Sequence, residues 1–425
     1  MKDSIMDHLL SNNLISRSQH GFMPGRSCVT NLLDYINQVT KALDQGFSYD
    51  VIMLDYQRAF DLVPFRKMLE KVSSHGIGGE ILKWIENWTT GRQQRCVLNG
   101  EYSAWLDVTS SVVQGSVLGP ILFTIYINDL DLAIDMHHGV LISKFADDSK
   151  LGKCITSDQD CLKLQNALND LARWSENCGM RLHPGKCAVL HFGPNNPKHM
   201  YYVNGIKINE CEEARDLGVL VTNNSSQTAH VENIARKAHA VLSQIKRTLT
   251  YRDSVVFAGI YKQYVRPILE FAVQAWNPAK VADVKTLERV QRRAFRLITD
   301  QGDADYDTKL NKIGMTTLED RRQQGDQIEA FKIINDMSVL NKYDFFKFVH
   351  DRHCIDMRSH SDNLLVPEKC RLNVRKNFFS CRVVNTWNDL PYWVRFSTTV
   401  NEFKNNYDEF MKNYDEFSIN GTIVL

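Results

Sequence analysis

The first half of the chain alternates short apolar runs with amphipathic stretches, which is typical of a region that mixes strands and helices. The run VIML at residues 51–54 predicts a buried strand, and Pro64 opens a helical pattern that continues to Val72. The dipeptide Asn99-Gly100 favours a tight hairpin turn. Further elements are predicted at residues 94–98 and 105–108 (strands), 118–130 (helix), 139–145 (strand), 157–178 (helix), 187–192 and 201–203 (strands).

The second half shows apolar positions three and four residues apart, which predicts helices almost throughout. One helix is predicted from Val231 to Leu249 and another from Leu287 to Ile298. Thr316 and Glu319 have the spacing of a capping box at the start of a third helix. The polar run NNSSQ is the best boundary signal, so the pattern predicts an α+β chain in which a region of strands and helices at 1–222 precedes a mainly helical region.

Composition places the chain among ordinary globular proteins. Its 425 residues are 43% hydrophobic and 24% charged, which is enough for two or three domains with cores of their own. No apolar run reaches the roughly 18 residues of a membrane span, and the start MKDSIMDHLL lacks the apolar core of a signal peptide. We therefore expect an intracellular protein with no membrane partner.

The ten cysteines form no C-x-x-C pair, so they suggest neither a zinc ribbon nor a disulfide framework. His350, His353, Cys354 and His360, with Cys370 beyond them, could be drawn as a metal site. Their spacings fit no standard zinc pattern, which favours free thiols over a metal site.

Charge is balanced overall but unevenly distributed. The net charge is +1, whereas residues 223–300 hold 13 Lys and Arg against 6 Asp and Glu. Helical spacing places several of these cations on surfaces away from the apolar stripes, which indicates either a solvated helix face or a surface for a polyanion. The cations concerned are Arg236, Lys237, Lys285, Arg289, Arg292, Arg293 and Arg296.

Two adjacent carboxylates, Asp147 and Asp148, stand at a predicted hairpin turn. Charges 4 Å apart repel by about 4 kcal/mol at an effective dielectric near 20, so a bound cation would relieve the pair. Asp55 follows the buried strand at residues 51–54; alone it would be a common strand-end cap. One sheet could bring all three carboxylates to a shared edge, where oxygen ligands suit two Mg²⁺ ions and phosphoryl transfer.

Five segments resemble, in order and spacing, the palm motifs of reverse transcriptases. The residues within these segments are similar to those of jockey-like reverse transcriptases, which belong to retrotransposons that lack long terminal repeats. Further segments resemble the same family, so the resemblance covers nearly the whole chain. The palm segments are LDYQRAFD (54–61), VVQGSVLGPILFTIYINDL (112–130), FADD (145–148), GMRLHPGKC (179–187) and DLGVLV (216–221). The further segments are SQHGFMPGRSC (18–28), YKQYVRPILEFAVQAWNP (261–278), LERVQRRAFRLI (287–298), RRQQGDQIEAFKI (321–333) and WNDLP (387–391).

The resemblance implies a right-hand polymerase: a partial fingers and palm region at 1–222, in which helices flank an antiparallel sheet, a helical basic thumb at 223–300 and a helical C-terminal region at 301–425. It implies an RNA-directed DNA polymerase that binds an RNA template, a DNA primer and deoxynucleoside triphosphates, and that acts in the nucleus. Two Mg²⁺ ions, with Mn²⁺ as the alternative, would be its cofactors.

The family's site residues carry over onto matching positions of this sequence. Asp55, Asp147 and Asp148 match the metal-binding carboxylates, and the Tyr56 carbonyl would be a further ligand. Lys186 matches the lysine near the leaving pyrophosphate, although alone it would be a surface lysine. Residues matched to the nucleotide are Phe60, which would exclude a 2′ hydroxyl, Gln114 and Gly115; those matched to primer and template are Leu217, Gly218, Arg236, Lys237, Arg289, Arg292, Arg293 and Arg296. Gly115 fits the start of a helix equally well.

The chain also departs from the family's pattern. Ser111, Val113, Met23 and His183 stand where the family usually has glycine, proline, arginine and asparagine. The early fingers motifs and the upstream endonuclease have no counterpart, so we expect an N-terminally truncated copy. A catalytically silent remnant, or a domesticated nucleic-acid-binding protein that keeps the fold, is the alternative to an active polymerase. An unrelated two-metal enzyme is set aside because it would need five ordered motifs to coincide by chance.

Overall fold

The computed structural model of the chain describes residues 1–134, 139–298, 305–349 and 363–419, with side chains described as far as Lys412. The chain divides into two compact units. The first consists of Met1–Tyr35 and Gly46–Glu212, and the second of Ile36–Gln45 and Glu213–Leu425. Among the described residues, no helix is long and apolar enough to cross a lipid bilayer. The residues 350–360 of the suggested metal cluster lie outside the described part of the chain.

A five-stranded sheet forms the centre of the first unit. The strands of the chain are β1 (Ser48–Leu54), β2 (Gln93–Gln94), β3 (Val97–Leu98), β4 (Glu101–Tyr102), β5 (Leu106–Asp107), β6 (Leu141–Phe145), β7 (Asp148–Ile155), β8 (Ala188–Phe192), β9 (Tyr202–Val203), β10 (Ile206–Lys207), β11 (Asn209–Cys211), β12 (Glu213–Asp216) and β13 (Val219–Thr222). The order across the sheet is β11-β8-β1-β7-β6, and all neighbours are antiparallel except β8 and β11. β1 is almost entirely buried, as its apolar run predicts.

The helices of the first unit, α2 excepted, contribute buried side chains to one hydrophobic core with this sheet. They are α1 (Lys2–Ser11), α2 (Cys28–Asp44, which continues into the second unit), α3 (Phe65–Ser74), α4 (Gly79–Thr89), α5 (Gly119–Ile127), α6 (Leu130–Ala133) and α7 (Asp158–Cys178). α5 is apolar on nearly all sides, as expected of a buried helix, and every one of its residues except Pro120 is buried. α7 begins at a capping box formed by Ser157 and Asp160 and ends at Gly179, whose φ of 75° is a left-handed conformation that favours glycine.

The second unit is mainly helical. Its elements after β12 and β13 are α8 (Thr228–Thr248), α9 (Ser254–Ile260), a π-helical segment (Tyr261–Val265), α10 (Arg266–Glu270), α11 (Val273–Trp276), α12 (Val281–Phe295), α13 (Tyr306–Lys312), α14 (Leu318–Ile334), α15 (Lys342–Phe345), α16 (Asn373–Lys376), α17 (Phe379–Asn388), α18 (Tyr392–Arg395) and α19 (Val400–Ile419). Phe331, Trp387 and Phe403 stack in its core. The predicted α+β class is therefore confirmed.

Two local predictions need correction. The capping box of α14 is formed by Thr317 and Asp320, one residue beyond the predicted pair, because Thr317 Oγ1 accepts the Asp320 N–H at 3.1 Å and Asp320 Oδ2 accepts the Thr317 N–H at 3.2 Å. At Asn99-Gly100 the hairpin forms, but its arms are broken into β2 to β5. Gln94 lies opposite Leu106 and Val97 opposite Tyr102, so the pairing shifts by one residue between the two segments.

The segment before α2 lies along the edge of β6. Lys144 exchanges backbone hydrogen bonds with it: its N–H donates to Ser18 O at 2.8 Å, and its carbonyl accepts the His20 N–H at 2.7 Å. Gly21 then passes so close to the end of β6 that a Cβ at this position would lie 2.4 Å from Ala146 N. The two nearest obstructing atoms belong to backbone, which cannot move aside as a flexible side chain would.

We predict that Gly21→Ala lowers the free energy of unfolding by about 1–3 kcal/mol, because the added methyl group overpacks a backbone contact. Urea unfolding at pH 7 measures the change. The matched control is Gly78→Ala in the same unit, where a Cβ meets nothing within 4 Å. Equal effects of the two substitutions would contradict the prediction.

Candidate active site

Asp55 is the first residue after β1, and the backbone around it is held by the segment 181–183. Its carbonyl accepts the His183 N–H at 2.8 Å, and the Gln57 N–H donates to Arg181 O at 2.8 Å. The segment 181–183 thus extends the sheet beside Asp55. This pairing fixes the point at which the carboxylate leaves the end of the buried strand.

Asp147 and Asp148 lie at the turn that joins β6 to β7. Phe145 pairs with Asp148, so Ala146 and Asp147 form a two-residue turn. Ala146 has a φ of +56°, which is unusual for a residue with a side chain. Because Leu54 lies opposite Ser149, the register of β1 with β7 brings Asp55 to the same edge as this turn.

The two carboxylates at this edge influence each other. Burial raises the pKa of the Asp147 carboxyl above its ordinary value, and the nearby charge of Asp55 raises it further. The Oδ1 atom of Asp55 is buried and accepts no hydrogen bond from the described residues. Lys186 Nζ lies 3.7 Å from that oxygen, beyond hydrogen-bonding distance, and its side chain is mostly exposed.

The carboxylates do not form a complete metal cage. Among the described residues, no three His, Cys, Asp or Glu side chains are placed to hold one metal ion. Asp55 and Asp147 nevertheless suit a divalent cation, because a buried carboxylate oxygen of Asp55 accepts no hydrogen bond from the described residues and the two acidic groups repel each other. Mg²⁺ typically takes one or two protein carboxylates and completes its shell with water and substrate phosphates. Asp148 lies exposed at the start of β7, and its role as third ligand stays a prediction.

Lys186 reaches Asp55 through a tight loop after residue 183. The N–H groups of Lys186 and Cys187 both donate to the His183 carbonyl, at 2.9 and 3.1 Å. The Nδ1 atom of His183 is buried without a hydrogen-bond partner among the described residues. The structure thus brings Lys186 to the carboxylate edge, while its role toward pyrophosphate stays a prediction.

Phe60 and Gln114 lie in two segments, residues 60–61 and 112–114, that are hydrogen-bonded to each other. The rings of Phe60 and Phe123 stack at a centroid distance of 4.1 Å, and the Phe60 carbonyl accepts the Val112 N–H at 2.8 Å. Gln114 Nε2 donates to Asp61 Oδ1 at 2.8 Å. Residues far apart in sequence are therefore held beside one another, while their role toward a nucleotide stays a prediction.

Gly115 occupies a backbone conformation that favours glycine. Its φ is +75°, and a Cβ added there would meet nothing within 4 Å. α5 does not start until Gly119, whose N–H donates to Ser116 Oγ at 3.0 Å. Gly115 thus lies in an open turn before the helix rather than at the helix start, which leaves its backbone accessible.

Leu217 and Gly218 form the two-residue turn between β12 and β13. Both have positive φ values, 44° and 88°, as the primed hairpin turns require. A Cβ at Gly218 would lie 3.1 Å from the Phe271 ring. The hairpin is fixed to α8 because the Leu220 N–H donates to His230 Nδ1 at 3.0 Å. Burial, Lys237 and Arg215 lower the pKa of His230 to about 4, so the ring is neutral and can accept at neutral pH.

A cleft of about 400 Å³ lies between α8 and α12 in the second unit. Arg236 and Arg289 line it together with His239. Arg293 lies beside His239, with 3.3 Å between its guanidinium and Nδ1. Burial lowers the pKa of His239, and the charges of Arg293 and Arg289 lower it further. Glu232 also lines the cleft beside the arginines.

The other predicted cations do not share this cleft's lining. The Arg292 guanidinium lies 4.7 Å from the Tyr306 ring centroid, on the side of α12 that faces α13. Lys237 and Arg296 are exposed. Helical spacing identified the surface correctly but could not show which arginines face α8.

Comparisons with known proteins identify the family of the chain. A family model described as "Reverse transcriptase (RNA-dependent DNA polymerase)" matches residues 1–241. The chain belongs to the reverse transcriptase family. The match covers every predicted carboxylate, nucleotide and hairpin position from Asp55 to Gly218.

Curated relatives place this reverse transcriptase near mobile-element proteins. It is 24% identical over 348 residues to the "RNA-directed DNA polymerase from mobile element jockey" of Drosophila funebris, covering 77% of this chain and 38% of that protein. It is 23% identical to the "Probable RNA-directed DNA polymerase from transposon BS" of Drosophila melanogaster, covering 69% of this chain and 34% of the relative. The predicted resemblance to jockey-like reverse transcriptases is confirmed. The chain spans little more than a third of the length of these relatives.

A solved structure of apo telomerase from Candida tropicalis aligns with 74% of this chain and 50% of its own, at 10% identity and a TM-score of 0.43.

Sequence reasoning about this reverse transcriptase missed three residues of the site region. Asp61 orients Gln114, and His239 lies among the arginines of the cleft. Gln19 is fully buried against the Ala146 turn. The motif SQHGF contained the signal for Gln19, but no periodicity relates it to residues more than 120 positions away.

We predict that Asp147→Asn stabilises the fold at pH 7 in metal-free buffer. A carboxyl whose pKa is raised on folding contributes its full stability only below its unfolded pKa, and that contribution is lost as the pH rises through the folded pKa. The variant's advantage should therefore shrink as the pH falls to 3.5, below the unfolded pKa of about 3.9. Urea unfolding at both pH values measures it, with Asp7→Asn on the exposed face of α1 as control. A pH-independent difference for Asp147→Asn would refute the prediction.

Proposed function

We infer that this chain is an RNA-directed DNA polymerase of a retrotransposon without long terminal repeats, and that it adds deoxynucleotides to a primer 3′ hydroxyl. The observation that carries the proposal is the meeting of Asp55 and Asp147 at one edge of a buried sheet, with a raised pKa for Asp147. Strained backbone and perturbed carboxyls of this kind are typical of catalytic sites. Membership in the reverse transcriptase family supports the reaction class.

Asp55 and Asp147, with Asp148 and the Tyr56 carbonyl, would hold two Mg²⁺ ions, with Mn²⁺ as the alternative. When bound, such ions lower the pKa of the attacking hydroxyl and stabilise charge on the transferring and leaving phosphate oxygens. The primer oxygen forms a bond to the α-phosphorus as the bond to pyrophosphate breaks. The orphaned Oδ1 of Asp55 and the repulsion between the carboxyls support this role for the residues.

The residues around the carboxylates would position the nucleotide. Phe60 is held rigidly by its stacking on Phe123, so an aromatic wall would exclude a ribose 2′ hydroxyl. Gln114 and the open backbone at Gly115 would line the base and sugar. Lys186, already beside Asp55, would donate a proton to the leaving pyrophosphate or stabilise its negative charge.

The second unit would bind the RNA template and DNA primer. The cleft arginines provide positive charge from two helices: Arg236 on α8, and Arg289 on α12 with Arg293 beside it. Phosphate contacts of this kind recognise the shape of a hybrid duplex and not its sequence. The turn at Leu217 and Gly218 would contact the primer strand. As a polymerase that copies an element's RNA into a chromosome, the protein would act in the nucleus.

The proposal predicts template-directed extension by the purified chain. With poly-adenosine template, oligo-thymidine primer, deoxythymidine triphosphate and Mg²⁺, we expect labelled product that falls by about 1,000-fold in Asp147→Ala, because several kcal/mol of transition-state stabilisation would be lost. Gel analysis of primer length measures it.

Asp7→Ala, an exposed carboxylate in the same unit, is the matched control and should retain wild-type extension. Binding of the hybrid without extension would favour the silent remnant or domesticated binding protein. Extension that survives in Asp147→Ala would sink the proposed mechanism.

The cleft gives a second prediction. Arg289→Ala should weaken binding of the poly-adenosine/oligo-thymidine hybrid and reduce the slope of log affinity against log salt by about 1, since one phosphate contact is lost. Arg292→Ala on the same helix is the comparison, because its guanidinium lies over Tyr306 and outside the cleft lining. Fluorescence anisotropy over a range of salt concentrations measures both. Equal losses in the two variants would show that the cleft is not the binding surface.

A further inference from the structure

The turn that carries Asp147 is held by a hydrogen bond to the side chain of Gln19. Its Oε1 atom accepts the Ala146 N–H at 2.9 Å and the Gly21 N–H at 2.8 Å. Both partners are donors, so the carboxamide oxygen and not the nitrogen must face them. The side chain is completely buried, and its Nε2 atom has no hydrogen-bond partner among the described residues.

The Ala146 N–H needs this acceptor. The β6–β7 ladder ends at the pair Phe145 and Asp148, so the amide of the turn residue lies outside it. Ala146 is itself buried, at 5% exposure, and its φ of +56° is unfavourable for a residue with a side chain. A buried amide in an unfavourable conformation persists only where its surroundings hold it in place.

The backbone around Gln19 has no freedom to move away. It bridges to Lys144 in a parallel pairing, and hydrogen bonds of 2.7 and 2.8 Å fix the residues on either side of it to β6. Gly21 lies so close to Ala146 that no side chain fits there. The Gln19 carboxamide is therefore held in place where it binds the backbone of Ala146, the residue before Asp147.

We propose that Gln19 is a positioning residue for catalysis: its side-chain oxygen holds the Ala146 amide and thereby sets the direction in which Asp147 leaves the turn. Gln19 contacts neither substrate nor a reacting atom in this role. The kinetic part of this inference rests on the proposed polymerase function, whereas its structural part does not.

The test compares Gln19→Met with Gln19→Glu. Methionine has a similar length and flexibility but no oxygen, so the Ala146 and Gly21 amides lose their acceptor. Glutamate keeps an oxygen that can accept both. Ser143→Ala is the matched control: Ser143 is a buried residue of β6, and its Oγ accepts a hydrogen bond from the side chain of Asn31 at 2.8 Å, away from the turn.

We expect kcat for primer extension to fall about 100-fold in Gln19→Met, as a small misplacement of a catalytic group can cause. The Kd for the hybrid should be unchanged, and Gln19→Glu should recover most of the rate. Measurements are made well below the melting temperature of every variant. An unchanged kcat in Gln19→Met, or an equal loss in Ser143→Ala, would overturn the proposal.

Hydrogen exchange of the Ala146 amide gives a readout that needs no activity. It should be faster in Gln19→Met than in the wild type and unaltered in Ser143→Ala. Equal exchange in wild type and Gln19→Met would overturn the inference. If the wild type binds the hybrid but extends no primer, the proposed function fails while the exchange result still decides the role of Gln19.

Discussion

The antiparallel register of β1 with its two neighbours is the constraint on which the candidate active site depends. A slip of one residue would turn each side chain of the strand to the other face of the sheet and carry Asp55 away from the hairpin. Asp50, fully buried at the far end of the same strand, resists such a slip. Its Oδ2 accepts the Tyr201 hydroxyl at 2.6 Å, while its Oδ1 lies 2.8 Å from His191 Nδ1 on β8 and accepts Asn196 at 2.7 Å. Buried polar groups lose these contacts if the strand shifts, so the network specifies one register.

At the carboxylate end of β1 the polar groups are arranged in the opposite way. Asp50 has a partner for each oxygen, whereas Asp55 keeps an oxygen without a hydrogen bond. The pKa of Asp147 is raised by burial and by the charge of Asp55. Asp50 thus maintains the structure of the strand, whereas Asp55, just beyond its end, is the acid for which cation binding is proposed. The polar contacts are thus complete at the buried end of the strand and incomplete at the end where chemistry is proposed, which is the usual division between scaffold and site.

Much of this arrangement could be predicted from the sequence because it depends on local signals. Periodicity found the long helices α7, α8 and α12, and motif order found the carboxylates, Lys186 and the turn at Gly218. What could not be predicted depends on tertiary packing. Helical spacing placed Arg289 and Arg292 on one surface, yet one lines a cleft and the other covers Tyr306. The cap at Thr317 was missed by one residue, since adjacent threonines followed by adjacent acids offer the same signal in two registers.

The contact between Gln19 and Ala146 joins residues 127 positions apart. Closing so long a loop costs entropy before any contact repays it, and contacts of high sequence separation slow folding. During synthesis the segment around Gln19 leaves the ribosome well before β6 and β7, so it must wait for its partner strand. The candidate catalytic turn therefore cannot be completed until β6 and β7 have been synthesised and have reached the segment around Gln19.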